Sequence, residues 1–218
     1  MGITKVVIVD DEALFRELLR RTLSAEPGIE VAGVAESGEA AIPLVRETKP
    51  DVVLMDIELP GELNGIEAAL RIKEETPQIG IVILSAHSDR RYVTSLPLDN
   101  SQGWAYLLKQ TVPDLAAVVR AIDGSKAGMI VLDPLVMAGL RPRQGSVVAS
   151  LTRRQQEVLE LIAQGYGNAA IAQRLTLSEK SVETYINAIY QALHVSDEPG
   201  IHARVKATLL YLQSAQNR

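Results

Sequence analysis

The first half of the 218-residue chain alternates short apolar runs with amphipathic stretches. The apolar runs have the length of buried β-strands, and the stretches between them repeat apolar residues at helical spacing. Five strands are predicted, at residues 5–9, 29–35, 51–55, 79–85 and 104–108. Because strands that alternate with helices form parallel sheets covered on both faces, the pattern predicts a doubly wound α/β domain over residues 1–124.

Amphipathic stretches between these strands predict the covering helices. They lie at residues 13–25, 39–48, 66–75 and 113–123, and Gly124 is expected to end the last of them. In the first helix Leu14, Leu18, Leu19 and Leu23 share the helical spacing. The segment 89–102 contains Pro97 and a polar run, so any helix there is expected to be short or broken.

The chain changes character after residue 124. Residues 125–150 contain three Gly and two Pro, a composition that predicts a linker. From residue 151 to the end at 218 the pattern is all helical and predicts a small all-α domain, whose first helix has Thr152 and Gln155 in the spacing of a capping box. Further helices are predicted at residues 169–175, 179–193 and about 201–212, the first two capped by Asn168 and Ser178.

Composition and charge exclude several classes of protein. The chain has no Cys, which excludes disulfides, thiolate metal sites and a Cys nucleophile. No apolar run approaches the ~18 residues of a membrane span, so a cytoplasmic protein with no membrane partner is expected. Residues 1–124 carry 12 Lys and Arg against 20 Asp and Glu, whereas the rest of the chain carries 10 against 7. The two halves therefore differ in electrostatic sign.

Acidic residues follow two of the predicted strands. Asp10 and Asp11 follow the first strand, and Asp56 follows the third. Ligands of open parallel sheets bind beyond the carboxyl ends of strands where the winding order reverses. With a strand order of 2-1-3-4-5, these two strands are neighbours, and the three carboxylates converge. Such a cluster suits Mg²⁺, and a carboxylate can act as a nucleophile that forms an aspartyl phosphate, for which Asp56 is the best placed.

Two more polar residues end the fourth and fifth strands. Ser85 has a hydroxyl that can donate to a phosphoryl oxygen, and Lys109 offers a compact cation for the same group. One such residue alone is most often an ordinary turn or cap residue. Five at successive strand ends favour a common site.

These segments resemble the receiver domain of two-component systems, which has a flavodoxin-like fold. The resemblance covers about residues 3–124. It is carried by Val9–Arg16, Leu54–Ile57 with Pro60 and Gly65, Leu84–Ala86, and Tyr106–Lys109. The resemblance implies a phosphoprotein in which Asp56 accepts a phosphoryl group from a histidine kinase. It also implies a Mg²⁺ site made by Asp10, Asp11, Asp56 and the main-chain carbonyl of Glu58.

The same resemblance assigns a switch. Ser85 and Lys109 match the hydroxyl and the lysine that contact the phosphate, and Tyr106 matches the aromatic residue that follows the hydroxyl's movement. The loop 59–65 is one residue longer than the common family pattern, so its conformation is the part of the site that the resemblance describes least well.

The helices of the second half have the spacing of a helix-turn-helix, whose second helix would enter the DNA major groove. Its apolar face comprises Val182, Ile186, Ile189 and Leu193. The opposite face carries Glu179, Lys180, Glu183, Thr184, Asn187 and Gln191. Asn and Gln can pair with adenine, and hydroxyls can reach phosphates or base edges. A small helical bundle that binds protein fits the pattern nearly as well.

Residues 151–212 resemble a LuxR-type DNA-binding domain. The resemblance is carried by Leu151–Leu159, Ile162, Ala163, Gly165, Asn168, Ile171, Ala172, Leu175, Ser178, Val182, Ile189 and Leu193. It implies that Lys180, Ser181, Glu183, Thr184 and Asn187 face DNA. Together with the receiver it indicates a response regulator of the NarL/FixJ family. Glu183 stands where that family commonly has Lys, and residues 151–212 carry six basic and six acidic residues, so modest affinity and a dimer on DNA are expected.

Three functions follow from these patterns. The leading one is a transcription regulator in which phosphorylation of Asp56 with Mg²⁺ switches dimerisation or domain docking and thereby DNA binding. The second is a receiver-controlled regulator that binds protein instead of DNA. The third is a phosphatase with Asp56 as its nucleophile. Apolar residues of the last helix, Val205, Leu209 and Leu212, are candidates for a dimer surface.

Overall fold

The structure is a computed structural model that describes residues 2–86, 102–138, 140, 142–195 and 202–215. The described residues form two compact units. The first contains residues 2–86 and 103–128, and the second contains residue 102 and the described residues from Met129 onward. Among the described residues, no helix is long and apolar enough to cross a membrane.

The first unit is built on a parallel sheet. Its strands are β1 (Thr4–Val9), β2 (Ile29–Ala35), β3 (Val52–Asp56), β4 (Gly80–Ser85) and β5 (Trp104–Leu108), each within one residue of the prediction. They run in the order β2-β1-β3-β4-β5 and are all parallel, which confirms the doubly wound α/β fold. The described residues include one strand more than the predicted five. This sixth strand, β6 (Val131–Leu132), belongs to the second unit and has two residues, too few for a periodic pattern to reveal it.

Four helices of the first unit cover this sheet: α1 (Ala13–Ser24), α2 (Gly38–Thr48), α3 (Gly65–Glu75) and α4 (Leu115–Lys126). The predicted end of α4 at Gly124 is wrong, because the helix continues and the left-handed glycine that follows it is Gly128, with φ +75°. In α1, Leu19 and Leu23 enter the core, whereas Leu14 and Leu18 are exposed. The segment 89–101, where a broken helix was expected, lies outside the described residues.

The burial of the central strands explains why the apolar pattern of the sequence predicted them closely. Every residue of β3, β4 and β5 is buried, as expected for central strands with helices on both faces. Burying one such Val, Leu or Ile side chain contributes about 1.5–3 kcal/mol. The sheet is therefore a rigid base, and side chains at its carboxyl edge are held in fixed positions.

The second unit is helical, with α5 (Pro134–Ala138), α6 (Arg153–Ala163), α7 (Asn168–Leu175), α8 (Glu179–Ala192) and α9 (Ala203–Ala215). The segment 125–150, predicted as a linker, holds the end of α4, β6 and α5. Its buried apolar side chains are Ile130, Val131, Leu132, Val136, Met137, Leu140 and Val148. The Gly and Pro content thus marks turns within a folded segment, and these apolar residues are its contribution to the core.

The predicted helix caps of this unit are confirmed at two of three positions. Thr152 forms the capping box with Gln155, and the Ser178 hydroxyl accepts the N–H of Ser181. Asn168 is not a cap: it is the first residue of α7, Gly167 occupies the cap position, and the Asn168 side chain accepts from Arg204 instead.

The last helix corrects the expectation about a dimer surface. Val205 and Leu212 are each 1% exposed, and Leu209 is half-buried. Val205 and Leu212 belong to the core of the second unit, so they are unavailable to a second chain.

Candidate functional site

The register of the sheet brings the predicted site residues to one edge. Asp56 is paired with Leu84, and Ser85 with Leu108, so Asp56 and Ser85 end β3 and β4, and Lys109 directly follows β5. Asp10 follows β1, which lies beside β3. The expectation that these strand ends share one site therefore agrees with their placement.

Three carboxylates meet at this edge. One ligand oxygen from each of Asp10, Asp11 and Asp56 lies within 4.8 Å of the others. Asp10 and Asp56 are buried, whereas Asp11 is exposed. One oxygen of Asp10 accepts the N–H of Glu12 at 2.9 Å, and the main-chain carbonyl of Asp10 accepts from Arg16.

Lys109 is the cation of the cluster. Its ammonium lies 3.0 Å from both Asp56 Oδ2 and Asp10 Oδ2 and 2.7 Å from Glu12 Oε1. It also sits 4.8 Å from the centre of the Phe15 ring. The sequence reasoning missed Glu12 as a partner of Lys109, although its position directly after the two aspartates was a usable signal.

The ionisation of the site follows from its burial. Burial raises the pKa of Asp56 to about 6, the charge of Asp10 adds to this effect, and Lys109 opposes it. Burial also raises the pKa of Asp10. Burial alone would lower the pKa of Lys109, but its contacts with the carboxylates of Glu12, Asp10 and Asp56 outweigh this and raise it. The site thus holds excess negative charge that costs free energy.

The carboxylate cluster fits a hard divalent cation. Asp10 Oδ2 is buried and, among the described residues, has an ion-pair contact to Lys109 but no hydrogen-bond partner with good geometry. The Lys109 ammonium is paired with the carboxylates of Asp10, Glu12 and Asp56, and the carboxylate of Asp11 lies close to those of Asp10 and Asp56. Mg²⁺ prefers oxygen ligands of this kind and usually keeps several waters.

The loop after Asp56 is folded tightly against β3. The N–H of Glu58 approaches Asp56 Oδ1 at 3.4 Å, and the N–H of Gly65 donates to the Ile57 carbonyl at 2.9 Å. A Cβ atom at Gly65 would overlap the carbonyl oxygen of Asp56. The first residue of α3 must therefore be glycine for this loop to close.

Ser85 and Tyr106 are both buried. Tyr106 is paired with Ile83, and Ser85 with Leu108. Because side chains two residues apart in a strand point to the same face, Ser85 and Tyr106 share one face of the sheet. This arrangement is what a coupled movement of the two side chains requires.

The second unit presents a polar helix face. In α8, Val182, Ile186, Ile189 and Leu193 are buried, as predicted. The exposed positions are Glu179, Lys180, Glu183, Thr184, Asn187 and Gln191. Ser181 is half-buried, and its hydroxyl lies 2.8 Å from that of Ser178. The Thr184 hydroxyl donates to the carbonyl of Lys180 at 2.9 Å.

An arginine from α9 holds the turn that precedes α7. Arg204 donates to the Tyr166 carbonyl at 2.8 Å and to Asn168 Oδ1 at 3.3 Å. The guanidinium of Arg174 stacks 4.1 Å from the centre of the Tyr166 ring. The role of Arg204 could not be predicted from the sequence, because its contact with the Tyr166 carbonyl joins residues 38 positions apart.

Replacing Arg204 by Ala is expected to loosen the start of α7. Both hydrogen bonds disappear and the partly buried acceptors lose a charged donor, a loss of about 1.5–3 kcal/mol in the free energy of local opening. Amide hydrogen exchange in α7 of the full chain measures it. Arg153→Ala is the control, since that side chain is 95% exposed. Unchanged protection of α7 in Arg204→Ala would contradict the assignment.

The sheet with its acidic edge and the helix-turn-helix define a two-domain regulator. Residues 6–120 match the response regulator receiver domain, and residues 149–203 match the luxR family of bacterial regulatory proteins. The chain belongs to the response regulators of two-component systems that carry a LuxR-type DNA-binding domain. This family consists of transcription regulators, not enzymes, so the phosphatase interpretation is wrong.

Several characterised relatives match most of the chain. It is 35% identical over 214 residues to the transcriptional regulatory protein DegU of Brevibacillus brevis, covering 88% of this chain and 89% of that protein. It is 36% identical over 197 residues to the response regulator protein VraR of Staphylococcus aureus, covering 88% and 91%.

Solved structures show the same architecture. A LuxR-family two-component response regulator from Aurantimonas sp. SI85-9A1 is 31% identical with a TM-score of 0.56, over 63% of this chain and 94% of that one. The response regulator RcsB of Salmonella typhimurium, in a structure described for its conformational dynamism in DNA interaction, is 25% identical with a TM-score of 0.57, over 98% and 99%.

Proposed function

We propose that a histidine kinase phosphorylates Asp56 and that this modification controls sequence-specific DNA binding by α8. The observation that carries the proposal is the cluster of Asp10, Asp11 and Asp56 at the carboxyl edge of the sheet, with the Lys109 ammonium paired to Asp10 and Asp56. We place the protein's action in the cytoplasm, where a DNA-binding regulator meets both a kinase and DNA.

The transfer step needs an ionised acceptor. A carboxylate oxygen of Asp56 attacks the phosphorus of a phosphohistidine, an O–P bond forms, and the N–P bond breaks as the imidazole leaves. Asp10, Asp11, Asp56 and the Glu58 carbonyl are the residues that would hold Mg²⁺. When bound, Mg²⁺ supplies positive charge that offsets the carboxylates and the incoming phosphoryl oxygens.

The switch follows from a change of partner at Lys109. In the unmodified chain its ammonium is shared among Asp56, Asp10 and Glu12. A phosphoryl group on Asp56 offers this cation a stronger, doubly charged partner, and the Ser85 hydroxyl donates to the same group. Tyr106, on the same face, then changes position. A shift of a few kcal/mol between two receiver states suffices to change dimerisation or domain docking.

The output surface is the exposed face of α8. Placed in a major groove, it presents the side chains of Lys180, Ser181, Glu183, Thr184, Asn187 and Gln191 to the DNA. Asn187 and Gln191 are suited to adenine, and Glu183 can accept from cytosine. We propose that the active form is a homodimer, because two helices supply more phosphate contacts and match paired half-sites. RcsB, whose structure is described in terms of DNA interaction, supports the same use of the domain here.

Two substitutions separate the roles on this face. Lys180→Ala is expected to weaken binding to all duplexes and to lower the salt slope by about 1, because one phosphate contact is lost. Asn187→Ala is expected to cost about 1–3 kcal/mol only on the preferred sequence. Fluorescence anisotropy with the full chain across a salt series measures both, on a duplex selected from a random pool and on a scrambled one. Lys49→Ala, an exposed lysine of the first unit, is the control.

A second candidate function is a regulator that binds protein through α8. The exposed acidic residues Glu179 and Glu183 favour it, because they repel phosphates. The same titrations discriminate between the two functions. A selected duplex with a steep salt dependence supports DNA binding, whereas a flat and salt-independent signal on every duplex supports the protein partner.

A further inference from the structure

The loop between Asp56 and α3 is held by a residue from another helix. Glu39, in the first turn of α2, accepts through Oε1 the N–H of Glu62 at 2.7 Å and the N–H of Leu63 at 2.9 Å. We propose that Glu39 is a positioning residue that fixes this loop and thereby sets the affinity of the acidic site for Mg²⁺. The inference rests on the proposed function, since it assigns Glu58 in the same loop a place in the cation site.

The fit between the loop and the carboxylate is close. Gly61 has φ +112°, a conformation that residues with side chains rarely adopt. A Cβ atom at Gly61 would lie 2.6 Å from Glu39 Oε2. Glycine therefore serves the turn in two ways: it allows the backbone conformation, and it leaves room for the carboxylate to reach the two N–H groups.

The start of α2 is packed where Glu39 must stand. The Ser37 hydroxyl caps α2 by accepting the N–H of Ala40 at 3.2 Å. A Cβ atom at Gly38 would lie 2.9 Å from the Ala68 Cβ of α3 and 3.0 Å from the Leu63 carbonyl oxygen. The first turn of α2 thus lies directly against the loop and α3, so the Glu39 side chain has only a short distance to span to the loop.

The two ends of the loop are fixed independently of Glu39. At one end, Ile57 donates to the Leu84 carbonyl at 3.2 Å, and Gly65 donates to the Ile57 carbonyl. At the other end, Asn64 and Glu67 form the capping box of α3. Glu39 acts between these ends. Its removal should loosen residues 58–63 without disrupting the sheet or α3.

Hydrogen bonding by the Glu39 carboxylate, rather than its net charge alone, is the physical basis of its effect on the affinity for Mg²⁺. The backbone N–H groups of Glu39 itself, Leu63 and Glu62 lower the pKa of the Glu39 carboxyl. The loop therefore binds the carboxylate form. Gln keeps an acceptor oxygen at the same position, whereas Ala removes it. Supporting residues of this kind typically change metal affinity by roughly 10-fold to 100-fold.

The experiment uses the full chain in four forms: wild type, Glu39→Ala, Glu39→Gln and the control Glu47→Ala, which changes an exposed acid of the same helix. Calorimetry with MgCl₂ measures the affinity of the unphosphorylated chain. Amide exchange without Mg²⁺ reports on the N–H groups of Glu62 and Leu63. We expect Glu39→Ala to weaken Mg²⁺ binding roughly tenfold and to expose both amides, with Glu39→Gln and Glu47→Ala close to wild type.

A kinetic measurement separates positioning from chemistry. With acetyl phosphate as the donor, Glu39→Ala should need more Mg²⁺ for half-maximal labelling of Asp56 but reach the wild-type rate at saturation. Wild-type Mg²⁺ affinity in Glu39→Ala would overturn the inference, and so would a Glu39→Gln chain as weak as the alanine variant. If the wild-type chain itself takes no phosphoryl group, the proposed function fails instead.

Discussion

The Asp56→Asn chain is expected to take no phosphoryl group from an acyl phosphate or a phosphorylated histidine kinase. The amide that replaces the carboxylate has no anionic oxygen to attack phosphorus, so the O–P bond cannot form. The substitution leaves the other residues of the site, Ser85, Lys109 and Asp10, chemically unchanged. The expected effect is complete loss of covalent labelling, measured by intact-mass spectrometry of the full chain with Mg²⁺ and acetyl phosphate.

Stability supplies an internal check on this variant. Burial raises the pKa of Asp56 from 3.8 to about 6, so folding disfavours its ionised form near neutral pH. The neutral Asn side chain is therefore expected to leave the receiver at least as stable as wild type. Asp123→Asn, an exposed residue of α4, is the control and should be labelled normally. Full labelling of Asp56→Asn would show that another residue is the acceptor.

Replacing Gly65 by Ala is expected to be the most damaging single change to the fold of the acceptor site. The new Cβ would overlap the carbonyl oxygen of Asp56 and lie 2.8 Å from its carbonyl carbon. Both are backbone atoms, so relief requires the end of β3 or the start of α3 to move. We expect a loss of about 3 kcal/mol in stability of the receiver, at the upper end for overpacking, together with loss of labelling at Asp56.

A matched glycine separates overlap from backbone strain. Gly28 has φ +86°, but a Cβ atom there would meet nothing within 4 Å. Gly28→Ala therefore carries only the conformational cost, about 1 kcal/mol, and should be labelled like wild type. Thermal unfolding and labelling of the two variants are measured side by side. Equal losses would contradict the account of Gly65, because overlap with Asp56 would then have no effect of its own.

Most of the sheet and the acidic edge could be predicted from the sequence because both depend on local signals. Continuous apolar runs indicate buried parallel strands, and residues such as Asp10, Asp56 and Lys109 directly follow such runs. The strand order then brings them together. A single polar residue after a buried strand is weak evidence for a site. The prediction rests on the recurrence of such residues at successive strand ends.

Contacts between distant segments could not be predicted from the sequence. Glu39 reaches a loop 23 residues away, and Glu12 reaches Lys109 across 97 residues. Glu39 has no unusual local pattern, and the place of Glu12 after two aspartates does not by itself identify Lys109 as its partner. In the segment 125–150, predicted as a linker, Gly and Pro are visible locally, whereas the burial of Ile130 and Val148 depends on tertiary packing.

The most direct test of the central claim is the affinity of the full chain for a selected duplex, across a salt series, with and without beryllium fluoride and Mg²⁺. Beryllium fluoride mimics a phosphoryl group only where a carboxylate such as that of Asp56 can bind it. The account predicts tighter binding with the mimic, a steep salt slope, and no gain in Asp56→Asn. Equal affinity of the wild-type chain with and without the mimic, in the presence of Mg²⁺, would contradict phosphorylation-controlled DNA binding.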